Sequence, residues 1–439
     1  MSPPALPSDR DLIQRALQLA RQGRPEQAES VLQDVLRRNS DSLDARALLG
    51  ALAFRQHRYQ EAVAAYGICA GARPRNGSFR FNLGIAREKA GDLPGAIDAL
   101  LAACRLNRRD WRMALFAGAA LEAAGRRDEA AVVFSLGDDV DPAMRAARNN
   151  PALDPEIRRR SAIADRVMRE HFARLHARAV DECERRAVAA SGVKPDLARV
   201  RNAIWTQTHD RPFKFRTPRQ EPSVFYMPDL EARPVTPRER LPWAAKIEAA
   251  ADEIRGEYLA ALAADVAMAP YVDASEKSPT WQGLRGNLDW SALHLYKSAQ
   301  GTPLRSHFRK TLQVLEAADV VRVEDGNPIE MFFSRMRPGA HIPPHFGAAN
   351  NRLTVHLPLI VPTGCSIRVG DQIHTWREGE LFAFDDSFEH EAWNTSDTDR
   401  VVLIFESHHP DLNAAERAAV EHAFESRGRW LKERRRPVL

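Results

Sequence analysis

Gly91-Asp92-Leu93-Pro94-Gly95-Ala96 is a phrase that this chain repeats. It returns as Gly125-Arg126-Arg127-Asp128-Glu129-Ala130, and stands upstream as Gly23-Arg24-Pro25-Glu26-Gln27-Ala28 and Arg58-Tyr59-Gln60-Glu61-Ala62. Ala28, Ala62, Ala96 and Ala130 are each 34 residues apart. Gly50, Gly84 and Gly118 keep the same interval, with Ala16 in the equivalent place of the first unit. A fixed period of this length signals stacked supersecondary units. Small residues recur because two helices of one unit approach closely there. Gly23, Gly91 and Gly125 fit the end of a first helix, where a left-handed residue closes the turn. His57 holds that place in the second unit and is less suited to it.

The pattern resembles tetratricopeptide repeats over residues 9–140. That resemblance implies an α-solenoid of helix pairs with a continuous core and a concave face. Two uses of the face stand open at this point: binding a peptide or protein, and packing against the next domain.

Residues 141–221 read as a helical, basic linker region. It carries the runs Arg158-Arg159-Arg160 and Glu184-Arg185-Arg186, with helical apolar spacing in Ile163, Val167, Phe172 and Leu175. His171 and His176 lie five apart, off the spacing that would join them as ligands on one helical face, and are expected to be solvated or capping residues. Thr206 to Pro222 turns to Pro, Arg, Thr and Gln, a linker composition, which places a domain boundary near residue 220.

The chain has 439 residues, enough for two or three domains. Its 63 basic and 59 acidic residues nearly cancel, which argues against a dedicated nucleic-acid binder. Cys69, Cys104, Cys183 and Cys365 form no CxxC or zinc spacing and fit a reducing compartment. Met1 to Asp9 is Pro-rich without an apolar signal region. No stretch reaches the roughly 18 uncharged apolar residues of a membrane span. The expectation is a cytoplasmic protein.

Beyond about residue 330 the period changes. Leu353, Val355, Leu357 and Leu359 alternate with Thr354, His356 and Pro358, the mark of a strand with one apolar face. Cys365 to Val369 and Gln372 to Trp376 flank Gly370-Asp371, a two-residue hairpin signal. Glu380 to Asp385 and Arg400 to Ser407 complete five or six expected strands. Short antiparallel strands with turn signals suggest a sandwich or jelly-roll barrel that opens at one end into a ligand cavity. The expected fold is therefore α+β and multidomain: an α-solenoid, then a double-stranded β-helix over residues 222–412, then a basic helix over 413–439.

Two histidines stand out in this part. His345 follows Pro343-Pro344, and His390 lies within Phe384-Asp385-Asp386-Ser387-Phe388-Glu389-His390-Glu391-Ala392-Trp393. A pair of neutral imidazoles suits a first-row divalent ion, and open coordination positions suit non-haem Fe(II) oxygenases. Spacing alone is weak evidence in a chain with 14 histidines. The surrounding phrases are more specific. Ser334-Arg335-Met336-Arg337-Pro338-Gly339-Ala340-His341-Ile342-Pro343-Pro344-His345-Phe346-Gly347 resembles the first metal-binding stretch of the aspartyl/asparaginyl β-hydroxylase family. Phe384 to Trp393 resembles the second, and Phe225 to Leu230 and Asp289-Trp290-Ser291 look like upstream segments. The resemblance covers residues 222–412.

The resemblance implies an Fe(II)- and 2-oxoglutarate-dependent dioxygenase. His345 and His390 match its two iron ligands. Arg400 matches the arginine that pairs the distal carboxylate of 2-oxoglutarate, a task suited to a planar guanidinium fork. Ser334 and His356 match further co-substrate contacts, and Trp290 a residue lining the same pocket. Gly347 stands where such enzymes often carry a carboxylate ligand, an absence the family shares. Thr354 departs from the pattern, since family members often have an arginine there that helps hold co-substrate or substrate, and Arg352 is the nearest replacement. Asp385, Asp386 and Glu391 read as capping or supporting carboxylates. His341, His374, His408 and His409 are minor candidates.

The implied reaction consumes dioxygen and hydroxylates an unactivated carbon, first of all the β-carbon of Asp or Asn in a peptide or protein presented by the repeats. Two alternatives remain: hydroxylation of a small molecule or lipid acyl chain, and a non-catalytic repeat scaffold with a ligand-binding jelly roll.

Overall fold

The computed structural model describes residues 7–323 and 326–434. Most of the Pro-rich N-terminal stretch and the last five residues of the basic C-terminal segment lie outside the described residues. The chain forms two compact units, one of residues 1–171 with 430–439 and one of residues 172–429.

The first unit begins with eight helices in four antiparallel pairs: α1 Asp9–Arg21, α2 Pro25–Arg38, α3 Leu43–Arg55, α4 Tyr59–Ala72, α5 Gly77–Lys89, α6 Leu93–Leu106, α7 Trp111–Ala123 and α8 Arg127–Val140. The repeating alanines Ala28, Ala62, Ala96 and Ala130 have no exposed surface. The repeating glycines mark the closest approach within a pair. A Cβ at Gly84 would lie 2.6 Å from Leu100, and one at Gly118 would lie 2.5 Å from the ring of Phe134. Gly23, Gly91 and Gly125 adopt the left-handed conformation, and His57 takes it too, at φ 62°. Its ring Nδ1 lies 2.7 Å from the Tyr59 hydroxyl, a local bond that offsets part of the strain. A third register is visible only with the structure. Ser8, Ser42, Asn76 and Asp110 cap the first helix of each pair, each side chain accepting a backbone N–H of the first turn.

A long helix, α9 Pro155–Ser191, supplies its first half to the first unit and its second half to the other. Arg160 on it is 1% exposed and is held by Glu88 and Glu156. The two histidines expected to be solvated or capping residues pack against aromatic rings. The His171 ring lies against that of Trp430, centroids 4.5 Å apart and planes tilted by 42°. His176 is buried, with Nε2 donating to the Val200 carbonyl at 2.9 Å and Nδ1 accepting from the Trp205 indole at 3.2 Å. The Pro- and Arg-rich segment before residue 222 is ordered onto the second unit. Gln220 is buried, and its side chain donates to Asp385.

The second unit is built on nine strands: β1 Trp290–Lys297, β2 Met331–Met336, β3 His341–His345, β4 Arg352–Ile360, β5 Cys365–Val369, β6 Gln372–His374, β7 Phe382–Phe384, β8 His390–Asn394 and β9 Arg400–His408. One sheet runs β7-β4-β9-β2-β1, extended by the two-residue strands Val235–Thr236 and Ala269–Pro270 at its ends. The other runs β6-β5-β8-β3. The chain crosses repeatedly between them, with β2, β4, β7 and β9 in the larger sheet and β3, β5, β6 and β8 in the smaller, all paired antiparallel. That winding is the jelly roll. It uses eight strands between residues 331 and 408 rather than five or six. His345 ends β3, and Pro343 and Pro344 are tolerated within it because β3 is an edge of its sheet.

Alternation divides the larger sheet into two faces. Phe333, Leu353, Val355, Leu357, Leu403 and Phe405 pack with Ile247, Ile254 and Tyr258 of covering helices. The opposite face meets the small sheet around Trp290, Met336, Ile342, Ile367 and Phe384. A third cluster joins Val180, Leu197, Val200 and Trp205 to Phe225, Met227, Ala349 and Leu412 and to Val420 of the C-terminal helix Ala414–Glu433.

Gly118→Ala is expected to lower stability to chemical denaturation by about 1–3 kcal/mol through overpacking against Phe134. Gly67→Ala, with nothing within 4 Å of its added methyl, is expected to be neutral or mildly stabilising. A form beginning at Glu221 loses six of the fourteen buried residues of the third cluster and is expected to aggregate in gel filtration, with lost burial on the order of several kcal/mol. One beginning at Pro151 is expected to run as a folded species.

Candidate active site

The inner face of the larger sheet and the small sheet enclose a cavity of about 130 Å³. Most of its larger-sheet wall comes from alternating residues on three neighbouring strands. Phe332 and Ser334 come from β2, Arg400, Ile404 and Glu406 from β9, and Thr354 and His356 from β4. Register sets these side by side, with Ile404 opposite both Phe332 and His356, and Glu406 opposite Thr354.

The small sheet brings the two singled-out histidines together. His345 ends β3, His390 begins β8, and they are direct cross-strand partners. Their ring centroids lie 4.0 Å apart. His345 Nδ1 is 2.8 Å from the Pro343 carbonyl and His390 Nδ1 is 2.9 Å from the Phe388 carbonyl. A carbonyl only accepts, so each Nδ1 carries the proton and each Nε2 keeps its lone pair. Burial, then the neighbouring His390, pushes His345 down to about 3, and burial pushes His390 down to about 4. Both rings are neutral near pH 7. Two oriented imidazoles with free Nε2 lone pairs are the donor set a first-row metal takes. Among the described residues no third histidine, cysteine or carboxylate completes a ligand group.

Arg400 is the most unusual charge in the cavity. It is 1% exposed, its Nε and Nη1 have no hydrogen-bond partner, and its guanidinium carbon stands 4.7 Å from the Trp376 ring centroid. Burial pulls it down to about 10. The gap from its ordinary value corresponds to roughly 3 kcal/mol of unfavourable desolvation. Such a cation calls for an anion. Ser334 accepts the Trp290 indole N–H at 3.1 Å, which leaves its own hydroxyl proton to donate. His356 is buried beside Arg400 with its Nδ1 unpartnered, and it is held well below its usual range by burial and that positive neighbour.

The structure thus gathers Trp290, Ser334, His345, Thr354, His356, His390 and Arg400 on one cavity. It does not bring Arg352 to the place foreseen for it, since Arg352 makes an ion pair with Glu406 at 3.1 Å. Asp385 caps the turn through Ser387. Asp386 reaches the cavity and accepts from Thr354 at 3.0 Å. Its carboxylate fills the space a side chain at Gly347 would need, 2.1 Å from a Cβ there. Glu391 lines the cavity while paired with Arg368, and His341 bonds to it from the rim. His374, His408 and His409 do not line the cavity. Residues that sequence reasoning missed are Tyr271, stacked on Trp290 at 3.9 Å, and the carboxylates Glu330 and Glu406. Glu406 was legible in principle, six residues after Arg400 and therefore on the same strand face.

Residues 248–410 match the family model described as aspartyl/asparaginyl beta-hydroxylase. Upstream of that match, tetratricopeptide-repeat models match over residues 13–71 and 49–110. The mouse protein named aspartyl/asparaginyl beta-hydroxylase is 34% identical over 151 residues, 32% of this chain and 19% of that protein. The Xenopus tropicalis aspartate beta-hydroxylase domain-containing protein 2 is 29% identical over 214 residues, 47% of this chain and 55% of that one. The Rhizobium tropici ornithine lipid ester-linked acyl 2-hydroxylase is 33% identical over 178 residues, 39% and 59% respectively. The matches thus span from a fifth to three fifths of these relatives. Among solved structures, YrrB, a TPR protein with an unusual peptide-binding site, is 22% identical over 37% of this chain and 84% of its own, with a TM-score of 0.31.

Arg400→Met is expected to raise the stability of the ligand-free chain by about 1 kcal/mol or more, because an unpaired buried charge is removed. The folded-state value is depressed, so the cost is fully present below about pH 10 and relieved above it. The difference between the two proteins in denaturant titrations should therefore be flat near neutrality and narrow as the pH rises through 10. A variant less stable than the parent at pH 7 would show that Arg400 is already paired.

Proposed function

We propose that this chain is an Fe(II)- and 2-oxoglutarate-dependent dioxygenase that hydroxylates an unactivated carbon. The observation that carries the reading is the conjunction of two neutral imidazoles with free Nε2 lone pairs and a buried, unpartnered guanidinium on one cavity. Iron with dioxygen and 2-oxoglutarate would supply the oxidation, the co-substrate leaving as succinate and carbon dioxide. His345 and His390 would hold the metal, their Nδ1–H bonds to Pro343 and Phe388 fixing ring orientation. Arg400 and the Ser334 hydroxyl would receive the distal carboxylate. Trp290, Trp376 and Phe384 would keep water from the reacting carbon. A dry pocket strengthens each of these polar contacts.

The matched domain is shared by relatives named for aspartyl/asparaginyl and for lipid acyl substrates, so a peptidyl Asp or Asn and a lipid or small molecule are both candidates. The solenoid suits an extended peptide or a protein partner. No helix among the described residues is long and apolar enough to cross a membrane. The four cysteines are unpaired, which fits a reducing compartment such as the cytoplasm.

An anaerobic Fe(II) titration with 2-oxoglutarate, followed by succinate release in air, tests the reading. His345→Ala and His390→Ala are expected to abolish turnover with circular dichroism unchanged. Full activity in either variant overturns the ligand assignment. Arg400→Ala is expected to raise the 2-oxoglutarate requirement on the order of 100-fold, with little change in that for iron.

A further inference from the structure

The cavity is electrically two-ended. Arg400 marks one end of the β9 wall, and Glu406, six residues on and so roughly 20 Å along the strand, marks the other. Ile404 lies between them, with Phe332 as its cross-strand partner. Around Glu406 stand two more carboxylates of the same cavity, Glu330 and Asp386. Each is held in place. Glu330 is held by His294 at 3.1 Å and by the Tyr271 hydroxyl at 3.3 Å, Glu406 by Arg352, and Asp386 by Thr354.

These contacts leave donors wanting. Glu406 Oε2 and Asp386 Oδ1 are both shielded from solvent and both lack a hydrogen-bond partner. Three carboxylates face one arginine, Arg352, and the imidazole of His294. Burial, opposed by Arg352 and reinforced by the charges of Asp386 and Glu330, raises Glu406 to about 7. An arginine at position 354, directly across from Glu406, would cancel the excess, but the residue there is Thr354. An incoming ammonium or guanidinium satisfies what remains, since each supplies several N–H donors and a positive charge. An incoming carboxylate meets like charge and leaves both oxygens unsatisfied.

We infer that the group hydroxylated by this chain belongs to a substrate that carries a cation, a primary amine or a guanidinium, docked against Glu406, Glu330 and Asp386. The inference rests on the reading of the cavity as a 2-oxoglutarate dioxygenase site, with Arg400 reserved for the co-substrate. It turns the substrate preference away from an anionic aspartyl side chain.

Calorimetric titration of the full chain with n-hexylammonium, hexanoate and hexanol, with and without 2-oxoglutarate, tests it. Hexylammonium is expected to bind about tenfold or more tightly than either of the others, and Glu406→Gln and Glu330→Gln are each expected to weaken it about tenfold. Thr354→Arg removes no carboxylate, so it carries the test if Glu406→Gln does not fold. It is expected to lose hexylammonium and gain affinity for hexanoate. Hexanoate or hexanol binding as well as hexylammonium, no measurable hexylammonium binding, or hexylammonium binding indifferent to these three variants each overturns the inference. The dioxygenase reading fails separately, if 2-oxoglutarate does not bind or binds Arg400→Ala as well as the parent.

Discussion

The second unit depends on strict alternation along the strands of its larger sheet. Phe333, Leu353, Val355, Leu357, Val401 and Leu403 face the covering helices, while Phe332, Ser334, Thr354, His356, Arg400, Ile404 and Glu406 between them face the cavity. A one-residue slip in β4 or β9 would exchange Leu357 for His356 or Val401 for Arg400, burying a charge in hydrocarbon and opening the core to the pocket. The hydrophobic face therefore fixes the register. Register in turn fixes which polar side chains meet, and the arrangement of the cavity is a by-product of packing the opposite face.

The cavity stores unfavourable electrostatics at both ends. At one end a guanidinium is buried without a partner. At the other, carboxylates crowd against one another with oxygens unsatisfied. A protein selected for stability alone would replace such groups with hydrocarbon. They lie on a single wall, separated by apolar Ile404 and Phe332, and the neutral histidine pair stands on the facing sheet.

The repeats obey a simpler constraint. Gly84 and Gly118 let paired helices approach to contact, and Ser8, Ser42, Asn76 and Asp110 close the start of each unit. The capping register has the same period as the glycine and alanine registers but is chemically mixed, serine, serine, asparagine and aspartate. Identity matching passes over it, although all four side chains do the same work.

By itself the sequence determined the repeat period, the strand at Leu353–Leu359, the hairpin at Gly370-Asp371 and the two histidine phrases. Each is a local signal: a spacing, a turn residue or a contiguous motif. Even the cavity residues Ser334, His356 and Arg400 were reached from their motif neighbours. Tertiary structure alone decided what depends on distant pairing. His176, which reads as a surface residue, is buried because Val200 and Trp205 fold back onto it. Arg352 is withdrawn to Glu406, 54 positions away in the chain. The carboxylate of Asp386 fills the place left open at Gly347. The acidic end of the cavity draws Glu330, Asp386 and Glu406 from three separate segments, and no period or motif links them. Only the register of antiparallel strands brings such residues together, and that register is set by side chains on the other face of the sheet.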